Sequence, residues 1–161
     1  MRLFVVAGGL CILAACAQPP PLVDPTFDSP ESLARAVLDR FAAGDTEGLR
    51  RLAVTEQEFR QRVWPELPAS RPERNLPFSY VWGDLSQKSG QSLQQLLAKH
   101  TGRAYTLASV RFGATTPYET FTVHRDSVFV VRGAEEPEVR LCGSMIEAAG
   151  RWKVFSYVVD D

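Results

Sequence analysis

The hydrophobic and polar positions along the chain predict helices in its first half. Between Ser29 and Pro65, apolar residues recur every three or four positions, which is the spacing of helices that bury one face. Ser29 and Thr55 stand where side chains can cap the first and third of these helices, and Gly44 stands where the first should end. A fourth helix is expected over residues 85–100.

Alternating apolar and polar residues predict strands elsewhere in the chain. One short strand is expected just before the fourth helix and four longer ones after it: residues 78–82, 105–112, 118–132, 138–147 and 151–159. A turn is expected at 115–117, and the strand over 118–132 is expected to bend near Asp126. The short connections make antiparallel hairpins, so the chain is predicted to be α+β, with its N-terminal helices packed on one face of a curved antiparallel sheet.

Residues 65–77 interrupt this regular pattern. They contain four prolines and no helical or strand period, and such a loop is unusual in a small domain unless it is functional or disordered. Arg71 and Arg74 could bind an acidic ligand there, although arginines of surface loops are more often simply solvated.

The apolar residues at the N-terminus have the pattern of a signal sequence. Arg2 precedes an almost wholly apolar run, residues 3–15, which is too short to cross ~30 Å of hydrocarbon, since a spanning helix needs about 20 residues. The run has instead the length of the apolar region of a secretory signal. It ends in Leu13-Ala14-Ala15-Cys16, and this arrangement resembles the bacterial lipoprotein signal.

The resemblance implies that residues 1–15 are removed as a signal peptide and that Cys16 becomes the first residue and carries the lipid. The protein would then be anchored to a membrane of the bacterial cell envelope, on its periplasmic or extracellular face. Two alternatives stay open: ordinary cleavage after Ala17 would release a soluble periplasmic protein, and an uncleaved segment would itself be the anchor. Residues 16–28, which contain four prolines, are expected to form a semi-rigid tether to a single domain over 29–161.

Composition and charge narrow the possible partners. The chain has 161 residues, with 18 lysines and arginines against 19 aspartates and glutamates, so no basic face for nucleic acid is expected. Of its three cysteines, Cys11 lies in the signal and Cys16 is the lipid site. Only Cys142 is left, so no intrachain disulfide is expected and this thiol should be buried in the core. Two distant histidines and one thiol have no metal-ligand spacing, and no cofactor is expected.

Two further stretches carry a resemblance to a known family. They are Phe41-Ala42-Ala43-Gly44-Asp45, followed by Leu49 and Leu52, and the closing hairpin with Gly150-Arg151-Trp152-Lys153-Val154. Both resemble the nuclear-transport-factor-2-like superfamily, which implies a cone of curved sheet that helices close over a pocket. Residues 65–77 depart from the shorter linkers of that family.

The resemblance does not choose a function. The superfamily contains isomerases, dehydratases and epoxide hydrolases as well as non-catalytic binding modules, and fold alone does not select among them. Homodimers through the sheet are common in the superfamily. Aromatic residues on both faces of the strand over 151–159 are compatible with such a dimer.

Few residues have the pattern of a catalytic or binding site. His124 and Asp126 lie two positions apart on one strand face, where they could form an acid–base pair, although the alternation also suits a histidine on the solvated face. Asp84 is the one match to the acid that serves as base in the superfamily's isomerases, and its position before a helix also suits an N-cap. Tyr80, Trp82 and His124 are the candidates for binding a ligand. The rings of Tyr80 and Trp82 are suited to lining a pocket, as they also suit a half-buried strand.

These observations favour a non-enzymatic, lipid-anchored domain of the cell envelope that binds a small apolar molecule or an envelope protein. One alternative is a small pocket enzyme of the isomerase, dehydratase or hydrolase type, with His124 and Asp126, or Asp84, as its base. Another is a purely structural partner in an envelope complex.

Overall fold

The computed structural model describes residues 19–132 and 135–159. The predictions on the signal peptide, on the lipid at Cys16 and on residues 16–18 of the tether lie outside these ranges. Within them the chain is α+β, as its hydrophobic pattern predicts. None of the helices in the two ranges is long and apolar enough to cross a membrane.

Helices and single helical turns make up the first half of the described chain. The α-helices are α1 (Pro30–Ala43), α2 (Thr46–Leu52), α3 (Glu56–Glu58) and α4 (Phe78–His100). Between α3 and α4 the chain forms a π-helix and then three 3₁₀ turns: Phe59–Val63, Trp64–Glu66, Pro68–Ser70 and Pro72–Arg74.

The predicted helix caps are confirmed. The Ser29 hydroxyl accepts a hydrogen bond from the backbone N–H of Ser32 at 3.1 Å, and Gly44 ends α1 in the left-handed conformation at φ 64°. Thr55 and Glu58 cap α3 reciprocally, each side chain accepting from the backbone N–H of the other residue. These interactions are local, and they fix where α1 and α3 begin.

Seven strands follow in the described chain, all of them paired antiparallel. They are β1 (Thr106–Arg111), β2 (Ala114–Pro117), β3 (Thr122–Arg125), β4 (Val128–Arg132), β5 (Glu138–Val139), β6 (Cys142–Ala148) and β7 (Arg151–Tyr157). One sheet has the order β1-β4-β5 and the other the order β2-β3-β6-β7.

The strand predicted over 118–132 is divided between the two sheets. The predicted bend near Asp126 is confirmed, since this residue has φ 53° and separates β3 from β4. The turn predicted at 115–117 is wrong, because these residues lie in β2 and pair with β3. Pro117 is tolerated there because β2 is an edge strand, where a missing N–H costs no ladder hydrogen bond.

Residues 78–82 form the first turns of α4, so the strand predicted there is wrong. Five residues are too few to separate alternation from helical spacing. Over a longer stretch, four residues have the i, i+3, i+4, i+7 spacing of one helix face and pack on the core: Phe78, Val81, Trp82 and Leu85. Burial of that face fixes the helix, and a local strand pattern is overridden.

Two hydrophobic cores lie on opposite faces of the four-stranded sheet. Met145 of β6 belongs to the core that includes α1, α2 and the three-stranded sheet, whereas the next residue, Ile146, packs with Phe59 and Val63. Consecutive strand residues point to opposite faces, so both faces of this sheet are covered within one chain. The aromatic residues on both faces of the last strand are compatible with a dimer through the sheet. The two cores cover both faces, so these residues are explained without a second copy of the chain.

Cys142 lies in the first of these cores, as the sequence predicts. It is buried at the start of β6, and burial raises the pKa of its thiol far above the ordinary value. A thiol that stays protonated and inaccessible is inert, which suits a single free cysteine.

Residues 65–77 are fixed to the sheet by one carboxylate. Glu66 accepts hydrogen bonds from the backbone N–H groups of Glu119 at 2.6 Å and Thr120 at 3.2 Å, in the turn between β2 and β3. Arg71 and Arg74, the candidates for an acidic ligand, are both exposed. The proline-rich segment therefore serves to cover one end of the sheet.

The described part of the predicted tether, residues 19–28, packs on the domain. Phe27 exchanges two backbone hydrogen bonds with β7, at 3.1 and 2.8 Å. The buried guanidinium of Arg62 donates to the carbonyl oxygens of Pro19 and Pro20, both at 3.1 Å. The structure here differs from the expected semi-rigid tether. A proline-rich segment cannot pair its carbonyl groups internally, and here these groups accept hydrogen bonds from donors on the domain.

A buried ion pair joins the helical half of the chain to the last strand. The Nζ of Lys153 lies 3.1 and 3.0 Å from the two carboxylate oxygens of Glu58, and the side chains are 1% and 4% exposed. The backbone N–H of Val23 also donates to Glu58, and its carbonyl accepts from Lys153. Burial disfavours the charged carboxylate, but the N–H groups of Thr55 and Val23 together with Lys153 outweigh it and lower the pKa of Glu58.

Replacing Lys153 by methionine should destabilise the domain by about 3–5 kcal/mol, because the substitution leaves a buried carboxylate without its counter-charge. The free energy of unfolding can be measured by urea denaturation. Arg50→Met is the matched control, since it breaks an exposed ion pair with Glu47 and should cost less than about 1 kcal/mol. Equal losses for the two variants would contradict the importance of the buried pair.

Candidate functional site

Asp84 lies in the second turn of α4, so the interpretation of this residue as an N-cap is wrong. Its carboxylate is exposed and accepts a hydrogen bond from Lys88, one turn later, at 2.9 Å. This surface ion pair with Lys88 accounts for the Asp84 carboxylate without a catalytic role.

His124 and Asp126 do not form the predicted acid–base pair. The imidazole packs against both Phe112 and Trp152, with ring centroids 4.9 and 4.5 Å away, and its Nδ1 lies 3.3 Å from the hydroxyl of Thr115. Asp126 is exposed at the bend that follows β3. The alternative of a solvated histidine fails as well, because aromatic rings cover His124 and this burial lowers the pKa of its ring.

The two aromatic candidates on α4 separate. Tyr80 is 65% exposed and points away from the core. Trp82 packs on Phe59, with ring centroids 5.2 Å apart, and lines a cavity of about 310 Å³ between α2 and α4. Of the three predicted ligand-binding residues, Tyr80, Trp82 and His124, only Trp82 lines a cavity beside α4. Tyr80 is exposed, and His124 packs against aromatic rings away from α4.

A larger groove of about 480 Å³ runs between α4 and the four-stranded sheet, and we call it the α4 groove. Its helical wall consists of residues spaced along one face of α4: Val81, Asp84, Leu85, Lys88, Ser89 and Ser92. Its sheet wall comes from β3, β6, β7 and the residue after β7: Val123, Arg125, Ser144, Phe155, Ser156, Tyr157 and Val158. Phe59, Leu67 and Tyr118 complete the lining.

The end of the α4 groove nearest the start of α4 is apolar. Val81 and Leu85 line it from the helix, and Phe155 lines it from the sheet. Phe59 lies 6.1 Å from Phe155 between ring centroids and continues this surface into the core. Apart from Asp84, which lines the helical wall between Val81 and Leu85 and is paired with Lys88, the side chains at this end contact a ligand through dispersion and exclusion of water.

The opposite end of the α4 groove is polar. Arg125, Ser144 and Ser156 are neighbours on three adjacent strands, since Arg125 pairs with Ser144 and Ser144 pairs with Ser156. The two serine hydroxyls are 3.2 Å apart. From the helix, Ser89 accepts a hydrogen bond from the backbone N–H of Tyr157 at 3.0 Å, which holds this part of α4 against the end of β7.

The α4 groove contains binding groups but no serine–histidine pair among its described residues. A serine nucleophile needs an adjacent base. Neither histidine lines the groove, and the carboxylate that does, Asp84, is paired with Lys88. His124 packs against aromatic rings, and Nδ1 of His100 is hydrogen-bonded to the hydroxyl of Tyr105 at 2.8 Å. Within residues 19–132 and 135–159, no cluster of three histidine, cysteine, aspartate or glutamate side chains could hold a metal ion.

Another concavity, of about 460 Å³, lies at the C-terminal end of α4. Charged side chains of both signs line it, with Lys99 and Arg103 on one side and Glu135 and Glu136 on the other. The opposite charges balance, and the lining offers little apolar surface to a ligand. The α4 groove is therefore the better candidate site.

Sequence reasoning missed the groove because it assigned residues 78–82 to a strand. With α4 starting at Phe78, the helical wall could have been recognised as one face of a helix. The polar row of Arg125, Ser144 and Ser156 had no local signal, because it depends on the register between β3, β6 and β7.

Comparisons of the chain with protein-family models, with curated proteins and with solved structures found no match.

The domain should lose stability as the pH falls below the ordinary histidine pKa of about 6.5. Burial lowers the pKa of both His100 and His124, so the unfolded chain binds protons that the folded chain does not, and stability falls with pH in this range. The ring nitrogen Nε2 of His124 is buried and has no hydrogen-bond partner within the described part of the chain, which makes its protonation especially unfavourable.

His124→Phe keeps an aromatic ring against Phe112 and Trp152 and removes the titrating group, so it should flatten part of this dependence. The measurement is the thermal unfolding midpoint of both proteins between about pH 8 and pH 5. An identical pH dependence in the variant would show that His124 does not contribute.

Proposed function

We propose that this protein is a lipid-anchored binding protein of the bacterial cell envelope and that its α4 groove binds a small apolar molecule. The observation that carries the proposal is the groove itself, whose volume of about 480 Å³ lies within the range of small-molecule sites. Its apolar wall with a few polar groups at one end is the usual composition of such sites. The absence of a serine–histidine pair among its described residues favours binding over catalysis.

The lipid anchor is supported by the sequence at Leu13-Ala14-Ala15-Cys16. Because Arg62 holds the carbonyl groups of Pro19 and Pro20, only Ala17 and Gln18 lie between Pro19 and Cys16, which are three Cα–Cα steps apart. These steps span at most ~11 Å when fully extended. A lipid on Cys16 would therefore keep the domain, and its groove, close to the membrane surface.

We also propose that the domain is a nuclear-transport-factor-2-like cone. Helices that precede antiparallel strands, the bend at Asp126 and the hairpin of β6 and β7 support this assignment. A ligand site between a helix and the sheet is in keeping with the pocket of that fold.

The lipid site can be tested by metabolic labelling with a fatty acid. Cys16→Ser should abolish the label and leave the unprocessed precursor, because the serine hydroxyl does not take the place of the thiolate as lipid acceptor. Cys11→Ser is the matched control in the same segment and should keep both label and processing. Label that persists in Cys16→Ser would contradict the proposal.

The groove can be tested by native mass spectrometry of the full chain purified from its envelope. A small molecule should be released on unfolding, and Ser92→Trp should reduce its occupancy by about tenfold or more, because an indole would fill the groove. Gln95→Trp places the same side chain on an exposed position of α4 outside the groove and should retain the molecule. Equal occupancy in the two variants would place the ligand elsewhere, and the absence of any bound molecule from all three proteins would contradict the proposed function.

A further inference from the structure

We propose that the ligand of the α4 groove is a single-chain amphiphile with one carboxylate, whose chain lies along the apolar end and whose head binds Arg125. This inference rests on the proposed function, since it specifies the ligand of the same site. Three independent features of the groove carry it: its charge balance, the polar row on its sheet wall and the direction in which its lining changes.

Among the described residues, the charge balance leaves one positive charge in the groove. The described lining contains three charged side chains, and two of them neutralise each other, because Lys88 lies 2.9 Å from Asp84. Within the described chain, no acidic side chain lies within ion-pair distance of Arg125, the third. A ligand with a single negative charge would complete this balance, whereas a cation would face an unpaired guanidinium.

The polar row can hold a carboxylate. Arg125 presents a planar fork of donors that matches the two oxygens of a carboxylate. In register beside it, the hydroxyls of Ser144 and Ser156 are bonded to each other, so one of them retains a proton to donate. Both serines line the groove, and Ser144 is almost fully buried. A head group placed here would therefore meet charge and hydrogen-bond donors together.

The lining changes from apolar to polar in the same direction on both walls. Along α4 the apolar side chains of the lining, Val81 and Leu85, give way to Ser89 and Ser92, with the Asp84–Lys88 ion pair beside the apolar part. Along β3 the lining passes from Val123 to Arg125. The hydrogen bond between the Tyr157 N–H and Ser89 aligns the polar parts of the two walls. The groove is thus amphipathic along its length, which fits a molecule with an apolar chain and a polar head at one end.

The test is calorimetric titration of the full chain in phospholipid nanodiscs, with empty nanodiscs as the blank. The probes share one chain length and differ in the head: decanoate, decanol and decyltrimethylammonium. Decanoate should bind about tenfold more tightly than decanol, and the ammonium compound should bind most weakly. Unfolding midpoints of all variants check that they are folded, which the exposure of Arg125 favours.

Arg125→Met should remove the preference for decanoate over decanol, while Arg125→Lys should keep part of it because the charge remains. Arg111→Met is the matched control, since Arg111 is also an exposed strand arginine but pairs with Glu138 outside the groove, and it should leave the preference unchanged. An unchanged preference for decanoate in Arg125→Met would overturn the assignment of Arg125. So would a preference that is lost in Lys88→Met but kept in Arg125→Met.

The two proposals fail in different ways. If decanoate and decanol bind equally, and Ser92→Trp prevents both from binding, the groove is a ligand site and only the carboxylate head is wrong. If none of the probes binds and Ser92→Trp changes nothing, the proposed function itself is wrong. A peptide or a second copy of the chain crosslinked in the groove, in place of an amphiphile, would also overturn the inference.

Discussion

Burial of the Glu58–Lys153 pair constrains the rest of the structure, since two charges in a dry core must both be satisfied. The carboxylate of Glu58 accepts hydrogen bonds from the backbone N–H of Thr55 in its own helix cap, from Lys153 on β7 and from the backbone N–H of Val23. Loss of any one partner would leave a charge that burial makes costly. The pair thereby ties three distant segments into one arrangement, and through Val23 it adds to the contacts that hold residues 19–28 on the domain.

The position of the α4 groove follows from this arrangement. The π-helix over Phe59–Val63 starts directly after Glu58, and Phe59 fills the space under the first turns of α4. Farther along α4, Ser89 and Ser92 line the groove, and Ser89 accepts a hydrogen bond from the backbone N–H of Tyr157. These serines lie between the apolar first turns of α4 and the buried leucines of its second half, Leu93, Leu96 and Leu97, and their small side chains leave a groove between the helix and the sheet.

The sequence predicted much of the fold and little of the site. The caps of α1 and α3, the α+β order, the bend at Asp126 and the burial of Cys142 were predictable. His124, Asp126 and Asp84 have the residue types that catalysis uses, yet they lie apart, the first among aromatic rings and the other two at the surface. Residue type and alternation indicate chemistry that could occur, but a site needs side chains that meet.

The sequence by itself determined the features that depend on residues close together in the chain. A cap needs residues three positions apart, and a strand needs only a local alternation. The tertiary structure alone decided where α4 begins, which rings cover His124, and that Arg125, Ser144 and Ser156 form one row. Those outcomes depend on strand register and on which helix face is buried, and both are set by packing between segments far apart in the chain.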